Sequence, residues 1–373
     1  MADVIVVGGG VIGLSIAYEL AGQGATVKVL EQGQFGQEAS WAAAGILPPG
    51  NPKRARFPES RLRAESHVLW PKLTAELLEE TGIDNGYLNC GGIEVRLRGD
   101  ASDLVESAAA WRDEGVEVQE LTTDDLFRHE TALSRSIIAG FRVPEQCQVR
   151  TPWHLRALLA GTAARGVELL SETPVIRFDQ EAERVVAVRT TQETHSAGQF
   201  VIASGAWSQQ LLANAGFPVP IEPVRGQIVL LQAQPLPFQH VISSGLRYLV
   251  PRLDGRILVG STEEWVGFDK RNTAGAVAGL IHFATELIPT LANAHLERSW
   301  AGLRPGSIDG LAIIGHVSGT KNLFVASGHF RSGLQLSPAT AMLIRQLILG
   351  QEPSIPLHAF ACDRHHTQTT AAS

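Results

Sequence analysis

The chain has few of the residues that mark disulfide-rich and metal-binding proteins. Among its 373 residues there are three cysteines, Cys90, Cys147 and Cys362, which are far apart and show no C-x-x-C spacing. This usage argues against a disulfide framework and favours a reducing compartment, so we expect a cytoplasmic protein. The twelve histidines form no H-x-H or H-x-x-x-H pair, and we expect no metal.

Long apolar runs and an excess of positive charge are also missing. No apolar segment reaches the length needed to cross a bilayer, and the N-terminus lacks the basic and apolar regions of a signal peptide. Charged residues make up 18% of the chain and the net charge is −7, which disfavours a general attraction to nucleic acid. We therefore expect neither a membrane span nor a nucleic-acid partner.

What the chain does contain, close to its start, is a glycine-rich turn. Residues 4–7, VIVV, are apolar on both faces and are typical of a strand inside a parallel sheet. Apolar residues at helical spacing begin at Val11, and Gly8, Gly10 and Gly13 lie around this junction as G-x-G-x-x-G. In that motif the glycines permit a tight turn, close approach of a pyrophosphate and close packing of helix on strand. The helix N-terminus adds N–H groups and a positive dipole end, which suit a diphosphate.

A carboxylate follows at the distance expected of a dinucleotide site. Residues 26–30 predict a second strand, which ends at Glu31, 18 residues after Gly13. An acid at this place is expected to bind the ribose hydroxyls of an adenine dinucleotide, and it argues against the 2′-phosphate of NADP. These residues leave FAD and NAD open as cofactors. The alternative is a glycine turn that binds nothing, with Glu31 in solvent.

The remainder of the chain predicts further helices and a large antiparallel sheet. We predict helices over 60–82, 101–115 and 122–133, and a helix that runs into a strand over 148–170. Strands are predicted over 91–97, 172–178, 184–203 and 221–233, with a hairpin over 248–262. Ser204 and Gly205 form a second glycine turn at a strand end, and residues 323–348 predict a strand, a glycine-rich loop and a helix.

Four blocks resemble the D-amino-acid oxidase family of flavoproteins, and the resemblance covers nearly the whole chain. The blocks are VVGGGVIGLSIAYEL, ASWAAAGIL, YLVPRLDGRILVGST, and WAGLRPGSIDG followed by ASGHFRSGLQLSPAT. Within the family the chain is most similar to the glycine oxidase branch of bacterial thiamine biosynthesis. The resemblance implies an α/β (α+β) fold with a Rossmann-like FAD-binding domain over 1–85, 148–222 and 302–373. A substrate domain on a large antiparallel sheet, residues 86–147 and 223–301, would be interleaved with it.

The resemblance also implies FAD, bound without a covalent link. It places Val11 and Ile12 at the pyrophosphate, Glu31 and Gln32 at the ribose, and Val175 at the adenine. The loop from His329 to Gln335 would lie at the pyrimidine end of the flavin. The full set of implied cofactor residues is Gly8, Gly10, Val11, Ile12, Gly13, Glu31, Gln32, Ala39, Ser40, Ala44, Gly45, Ile46, Val175, Ser204, Gly205, His329, Phe330, Arg331, Ser332, Gly333, Leu334 and Gln335.

For the substrate, the resemblance implies that Arg304 binds a carboxylate, that Tyr248 assists through its phenol, and that Arg331 lies at the pocket edge. A guanidinium holds a carboxylate by two parallel hydrogen bonds, which a lysine cannot do. That grip would orient the α-C–H bond for hydride transfer to flavin N5, so no separate catalytic side chain is expected. On the residues alone, Arg304 could instead form a structural salt bridge to Asp309 or Glu297.

The implied reaction converts glycine, or a similarly small amine such as sarcosine or a small D-amino acid, to its imine and then the 2-oxo acid. Molecular oxygen would be reduced to hydrogen peroxide, and the imine would serve thiazole formation for thiamine. A D-amino-acid dehydrogenase with another electron acceptor and a non-catalytic dinucleotide-binding module are the alternatives. Leu246 and Glu263 depart from the family pattern, which bears on the preferred amine. The resemblance further implies a homo-oligomer, with a tetramer suggested.

Overall fold

The computed structural model describes residues 2–97 and 101–364. Its strands are β1 (Ala2–Val7), β2 (Val27–Leu30), β3 (Ile46–Leu47), β4 (Leu88–Asn89), β5 (Gly92–Arg96), β6 (Gln119–Leu121), β7 (Ala139–Val143), β8 (Cys147–Gln148), β9 (Glu168–Leu170), β10 (Val175–Glu181), β11 (Arg184–Thr190), β12 (Thr194–Ile202), β13 (Ile221–Gln232), β14 (Val241–Ser244), β15 (Arg247–Pro251), β16 (Arg256–Gly260), β17 (His295–Ser307), β18 (Ile313–His316) and β19 (Leu323–Ser327). Its α-helices are α1 (Val11–Ala21), α2 (Ala39–Ala42), α3 (Pro58–Thr81), α4 (Ser102–Asp113), α5 (Thr123–His129), α6 (Thr151–Ala164), α7 (Ser208–Ala213), α8 (Ala274–Leu287) and α9 (Gly333–Ile348). Within the ranges described, none of these helices is both long and apolar enough to cross a membrane.

The first sheet has a parallel centre. β1 pairs in parallel with β2 and with β12, and β12 pairs in parallel with β19. Successive side chains of β1 point to opposite faces, so Val4 and Val6 pack with α1 and α9, whereas Ile5 and Val7 belong to a second core on the other face. Burial on both faces explains the unbroken VIVV run.

The second sheet is almost entirely antiparallel. Its strand order is β17-β13-β16-β15-β14-β5-β7-β6, and β14 with β5 is its parallel pair. The β13–β17 ladder runs from the pair Ile221 and Ser307 to the pair Gln232 and His295. Helix α8 covers one face through a core that includes Val229. The other face packs Ile228 and its neighbours against the Ala44 segment.

The predicted α/β fold class with a large antiparallel sheet is confirmed. The proposed division into two domains at the stated boundaries stays a prediction, and its last residues, 365–373, lie outside the described ranges. The two sheets do draw on interleaved stretches of chain, since the first uses strands up to residue 202 and again from residue 313.

Several predicted boundaries were wrong. The helix predicted over 122–133 is α5 and ends at His129, and the helix predicted from residue 148 begins at Thr151, because Cys147 and Gln148 pair with β3 and β4 in a small third sheet. Strand β17 was not predicted, since Gly302, Pro305 and Gly306 interrupt its alternation. Its strand conformation depends on the ladder with β13.

Candidate active site

A cavity of about 790 Å³ lies where the carboxyl ends of β1, β2, β12 and β19 face the β13–β17 edge of the second sheet. The carboxyl edge of a parallel sheet is where open α/β folds bind ligands. The volume lies within the ~300–1,000 Å³ typical of small-molecule and cofactor sites. With the exception of Gly13, all the predicted cofactor and substrate residues line this one cavity.

The glycine turn has the form that the spacing predicts. Gly8 has φ +110°, and a Cβ built on it would lie 2.4 Å from the carbonyl oxygen of Ala203. A Cβ on Gly13 would lie 1.9 Å from the carbonyl oxygen of Gly8, so Gly13 permits helix α1 to pack on the turn without itself lining the cavity. Gly10 precedes α1 and provides no side-chain cap, and the hydroxyl of Ser40 accepts a hydrogen bond from the backbone N–H of Val11 at 2.9 Å in the first turn that lines the cavity.

Glu31 is buried at the end of β2 and serves the turn as well as the cavity. Its carboxylate accepts hydrogen bonds from the backbone N–H of Gly9 at 2.7 Å and of Gly33 at 2.9 Å. The side chain therefore joins the glycine turn to the end of β2, and it still lines the cavity. Of the two sequence readings, a solvent-exposed Glu31 is excluded by this burial.

Two side chains hold the small residues after α2 in place by donating hydrogen bonds to their carbonyls. The hydroxyl of Thr151 donates to the carbonyl of Ala43 at 3.0 Å, and the buried Arg252 donates to the carbonyl of Ala44 at 2.7 Å. Arg252 also donates to the side chain of Gln148 at 2.7 Å, and burial lowers the pKa of Arg252 to about 10. Gly45 has φ +78° and a Cβ there would lie 1.9 Å from the backbone carbonyl oxygen of Val149, so the packing of this segment against Val149 requires a glycine.

Two cavity-lining residues, His329 in the loop before α9 and Gln335 in the first turn of α9, each have a buried polar atom without a partner among the described residues. His329 accepts or shares a hydrogen bond through Nε2 with Thr340 at 3.0 Å, while its Nδ1 has no partner among the described residues. The amide nitrogen of Gln335 donates to the carbonyl of Pro48 at 2.9 Å, and its Oε1 has no partner in the same set. Burial lowers the pKa of His329 to about 3, so this ring is neutral near pH 7. Both atoms are closed off from solvent and from the cavity, so the fit of the site to a dinucleotide cofactor rests on the glycine turn, the buried Glu31 and the volume of the cavity.

Arg304 and Tyr248 lie together over a glycine floor. The guanidinium of Arg304 donates to the carbonyl of Thr262 at 3.0 Å and to the hydroxyl of Ser261 at 2.7 Å. A Cβ on Gly226 would lie 2.2 Å from Arg304 Nη2, and a Cβ on Gly260 would lie 2.5 Å from the phenol oxygen of Tyr248. Both side chains therefore lie against the sheet, and two glycines make the room.

The electrostatics of Arg304 suit a carboxylate ligand. Burial lowers the pKa of Arg304, and the neighbouring phenol of Tyr248 raises it. The predicted structural alternative is not formed, because Asp309 pairs with Arg364 and Glu297 pairs with Arg256. A buried guanidinium stays charged and seeks anionic partners, and two of its five N–H groups are used by Ser261 and Thr262.

Arg331 lines the cavity with a side chain that is 25% exposed, and Glu263 and Leu246 are its partners. Its Nη1 lies 3.1 Å from Glu263 Oε2, and its Nη2 donates to the carbonyl of Leu246 at 2.8 Å. Glu263 thus binds Arg331 and is not among the residues that line the cavity. Leu246 and Glu263, the two residues that depart from the family pattern, therefore both contact Arg331.

Sequence reasoning missed residues whose role depends on strand pairing. Gly226, Gly260 and Ser261 surround Arg304 and Tyr248, and Gly302 leaves room for Ala42, since a Cβ there would lie 2.6 Å from the Ala42 Cβ. The available signal was a glycine inside an alternating strand pattern, as in VRGQIVLL, which marks a close approach to the backbone.

Comparisons with known proteins identify the family of this chain. The profile of the family described as DAO, FAD dependent oxidoreductase, matches residues 3–347. A glycine oxidase of Geobacillus kaustophilus (strain HTA426) is 37% identical over 366 residues, 97% of each chain. The crystal structure of glycine oxidase from Geobacillus kaustophilus superposes with a TM-score of 0.93 and 36% identity, covering 98% of this chain and 99% of the other.

Two further relatives are similar over almost all of this chain. A glycine oxidase of Pseudomonas putida (strain KT2440) is 38% identical over 359 residues, 95% of this chain and 96% of the relative. A bifunctional ThiO/ThiG protein of Synechocystis sp. is 33% identical over 99% of this chain, which spans 55% of that longer protein. With a family match over most of the chain, near-complete coverage by these relatives and a cavity that fits the cofactor, the chain belongs to the DAO family of FAD-dependent oxidoreductases and is an enzyme that uses FAD.

Proposed function

We propose that this enzyme oxidises glycine, or a similarly small amine such as sarcosine or a small D-amino acid, to its imine, which water converts to the 2-oxo acid. The names of its relatives support an amino-acid substrate. The observation that carries the proposal is the Arg304 guanidinium lying over Gly226 beside Tyr248, in the same cavity as the dinucleotide turn. FAD, when bound, supplies the two-electron acceptor of the reaction.

In this proposal Arg304 binds the substrate carboxylate and fixes its plane. Ser261 and Thr262 hold the guanidinium by accepting two of its N–H groups, which leaves others for the ligand. Tyr248, which lies beside Arg304 over Gly260, limits the space and offers a phenol to the carboxylate. A carboxylate held by two hydrogen bonds orients the α-carbon without a further catalytic side chain.

The surroundings also favour the neutral form of the substrate amine, whose lone pair is needed for oxidation. The charge of Arg331 is offset by Glu263, and the charge of Arg304 is offset by the substrate carboxylate. Burial in the cavity disfavours the charged ammonium form. Burial therefore lowers the pKa of a bound amine without a dedicated base.

Non-covalent attachment of FAD is part of the proposal. The three cysteines, Cys90, Cys147 and Cys362, are free thiols, and none lines the cavity. Burial raises the pKa of Cys90 to about 11 and raises that of Cys147, so neither is a reactive thiolate. Precipitation with acid should release all the flavin into the supernatant, and flavin that stays with the pellet would contradict this part.

The experiment that tests the reaction is anaerobic reduction of the flavin by glycine, followed by admission of air. Bleaching of the visible flavin band with rapid recovery in air is the expected result and supports an oxidase that produces hydrogen peroxide. Bleaching without recovery in air would indicate the dehydrogenase alternative. No bleaching by glycine, sarcosine or D-alanine would overturn the proposal.

A matched variant tests the assignment of the site. Arg304→Lys keeps the positive charge but loses the planar pair of donors, so we expect KM for glycine to rise at least tenfold while flavin content is unchanged. Arg345→Lys, on helix α9 away from the cavity, is the control. Unchanged KM in Arg304→Lys would remove Arg304 from the substrate site.

Three further predictions belong to the same proposal. The imine serves thiazole formation for thiamine, which the resemblance implies and the name of the bifunctional ThiO/ThiG relative supports. The protein acts in the cytoplasm and assembles as a homotetramer. Light scattering on the purified protein would test the tetramer, and growth of a deletion strain without thiamine would test the pathway.

A further inference from the structure

Glu263 and Arg331 form an ion pair at the edge of the cavity, with 3.1 Å between Glu263 Oε2 and Arg331 Nη1. Arg331 lines the cavity, whereas Glu263 lies behind Arg331 and does not line it. Their side chains are 25% and 30% exposed, so solvent reaches the pair and it can be exchanged. The second Arg331 nitrogen is held by the carbonyl of Leu246.

Glu263 is tied to Arg304 through the backbone as well as through charge. The residue before it, Thr262, provides the carbonyl that accepts from Arg304. After burial and the Tyr248 phenol, the charges of Arg331 and Glu263 are the next influences on the Arg304 pKa, with opposite signs. The three side chains therefore form one electrostatic unit.

The charge of this unit sets how many anionic groups it accepts. Arg304 and Arg331 with Glu263 amount to one net positive charge, which a single carboxylate neutralises. The other charged side chains that line the cavity have their own partners. Glu38 binds Lys270, Glu59 accepts from Ser332, Arg63 pairs with Glu114, and Glu31 accepts from two backbone N–H groups.

We propose that Glu263 is a specificity-determining residue that limits this site to amines carrying one carboxylate. It does so by holding Arg331 and by repelling a second anionic group that approaches the pocket edge. This inference rests on the proposed function, because it assumes that Arg304 binds a substrate carboxylate. A substrate with a second carboxylate must displace Glu263 from Arg331 and lie beside its negative charge.

Two ligand pairs separate charge from size. Sarcosine and iminodiacetate are both N-substituted glycines, and the second replaces a methyl group by a carboxymethyl group. Methoxyacetate and diglycolate are their ether counterparts, which lack an oxidisable amine and report binding alone. The Kd values of the ethers are measured by calorimetry on the FAD-loaded enzyme, and kcat/KM is measured for the amines.

In Glu263→Gln we expect the preference for diglycolate over methoxyacetate, as a ratio of Kd values, to rise at least threefold above wild type. The ratio of kcat/KM for iminodiacetate over sarcosine should rise in the same direction. Glu352→Gln, an exposed carboxylate outside the cavity, should change neither ratio. The gain should disappear in the double variant Glu263→Gln, Arg331→Gln, because Arg331 is then no longer present to bind the second carboxylate.

The results distinguish this inference from the proposed function. Unchanged ratios in Glu263→Gln, with glycine still oxidised by the wild type, would overturn the role of Glu263 alone. A shifted binding ratio in an enzyme that oxidises none of glycine, sarcosine and D-alanine would keep the role of Glu263 and overturn the proposed reaction. If neither ether binds to the wild type at millimolar concentration, the carboxylate site itself is wrong and both proposals fall.

Discussion

Gly226→Ala should damage the substrate site while leaving the fold and the cofactor in place. The added Cβ would lie 2.2 Å from Nη2 of Arg304 and 2.4 Å from its Cζ, and ordinary contacts begin near 3.4 Å. The guanidinium must therefore retreat by about 1 Å or more. The clashing atoms are the far end of a flexible side chain, so the strand itself need not move.

The magnitude follows from the hydrogen bonds that the displaced guanidinium loses. A hydrogen bond to a charged group contributes ~1.5–3 kcal/mol, so losing one arm of the carboxylate grip corresponds to a fall in kcat/KM for glycine of roughly 10- to 100-fold. Most of the fall should appear in KM. The hydrogen bonds from Arg304 to Ser261 and Thr262 also weaken, which costs about 1 kcal/mol of stability.

Steady-state oxidation of glycine, the ratio of flavin to protein, and Tm together test this reasoning. Gly279→Ala is the control, because a Cβ at Gly279 on helix α8 would meet no atom within 4 Å. We expect Gly279→Ala to match wild type in KM and flavin content, with an equal or higher Tm because alanine favours a helix interior over glycine. Gly226→Ala should keep its flavin and show a raised KM. An unchanged KM in Gly226→Ala would refute the assignment of Arg304 to the substrate.

Two other variants probe the cofactor-binding turn, and a third probes the buried His154. Gly8→Ala forces an alanine to φ +110° with its Cβ 2.4 Å from a backbone carbonyl oxygen, so we expect backbone strain of about 1–3 kcal/mol and a purified protein without flavin, measured by Tm and visible absorbance; a flavin-loaded variant would contradict this. In Glu31→Gln the amide NH₂ replaces one of the two carboxylate oxygens that accept from the N–H groups of Gly9 and Gly33. One of these hydrogen bonds is lost, so the Kd for FAD should rise about tenfold. An unchanged Kd would argue against a role for the carboxylate. Burial lowers the pKa of His154 to about 3 from 6.5, so the unfolded chain binds a proton between these values that the folded chain does not, and stability falls as pH falls through this window. His154→Asn should flatten the dependence of Tm on pH between 7 and 4, and an unaltered slope would contradict the assignment.

The dinucleotide turn was predictable because its determinants are local. Gly8, Gly10, Gly13 and Glu31 lie on one β-α-β unit, and each position has a steric or hydrogen-bonding reason that the spacing alone expresses. The strand and helix that flank the turn are the observed β1 and α1.

The floor of the substrate site was not predictable, because it depends on the register of strands far apart in the sequence. Gly260 lies opposite Tyr248 in the β15–β16 pair, and Val224, two residues before Gly226, lies opposite Arg304 in the β13–β17 ladder. A shift of one residue in either pair would turn these side chains to the other face of the sheet. Arg304 could be chosen from its sequence block, but the reason for the two glycines appears only once the strands are paired.

The chemistry of Glu263 was likewise open at the level of sequence. An acid after the segment GST could face the pocket or the solvent, and the choice depends on Arg331, which is 68 residues later. Gly45 is a second example. Its small size suggested contact with a flat ligand, but the structure shows that the backbone carbonyl of Val149, about 100 residues later, also leaves no room for a side chain there. At both positions a residue far away in the sequence determines what the residue contacts.

The place of β12 between β1 and β19 has a consequence for synthesis of the protein. Because β1 and α1 leave the ribosome first and β19 and α9 leave it last, roughly 300 residues separate the two sides of the cavity, an interval of about 15–60 s at ~5–20 residues per second. Throughout that interval the glycine turn exists without the loop that completes its pocket. The cavity can therefore be complete only after β19 and the loop that follows it have been synthesised, and a truncation before β19 would remove His329 to Gln335 from its lining.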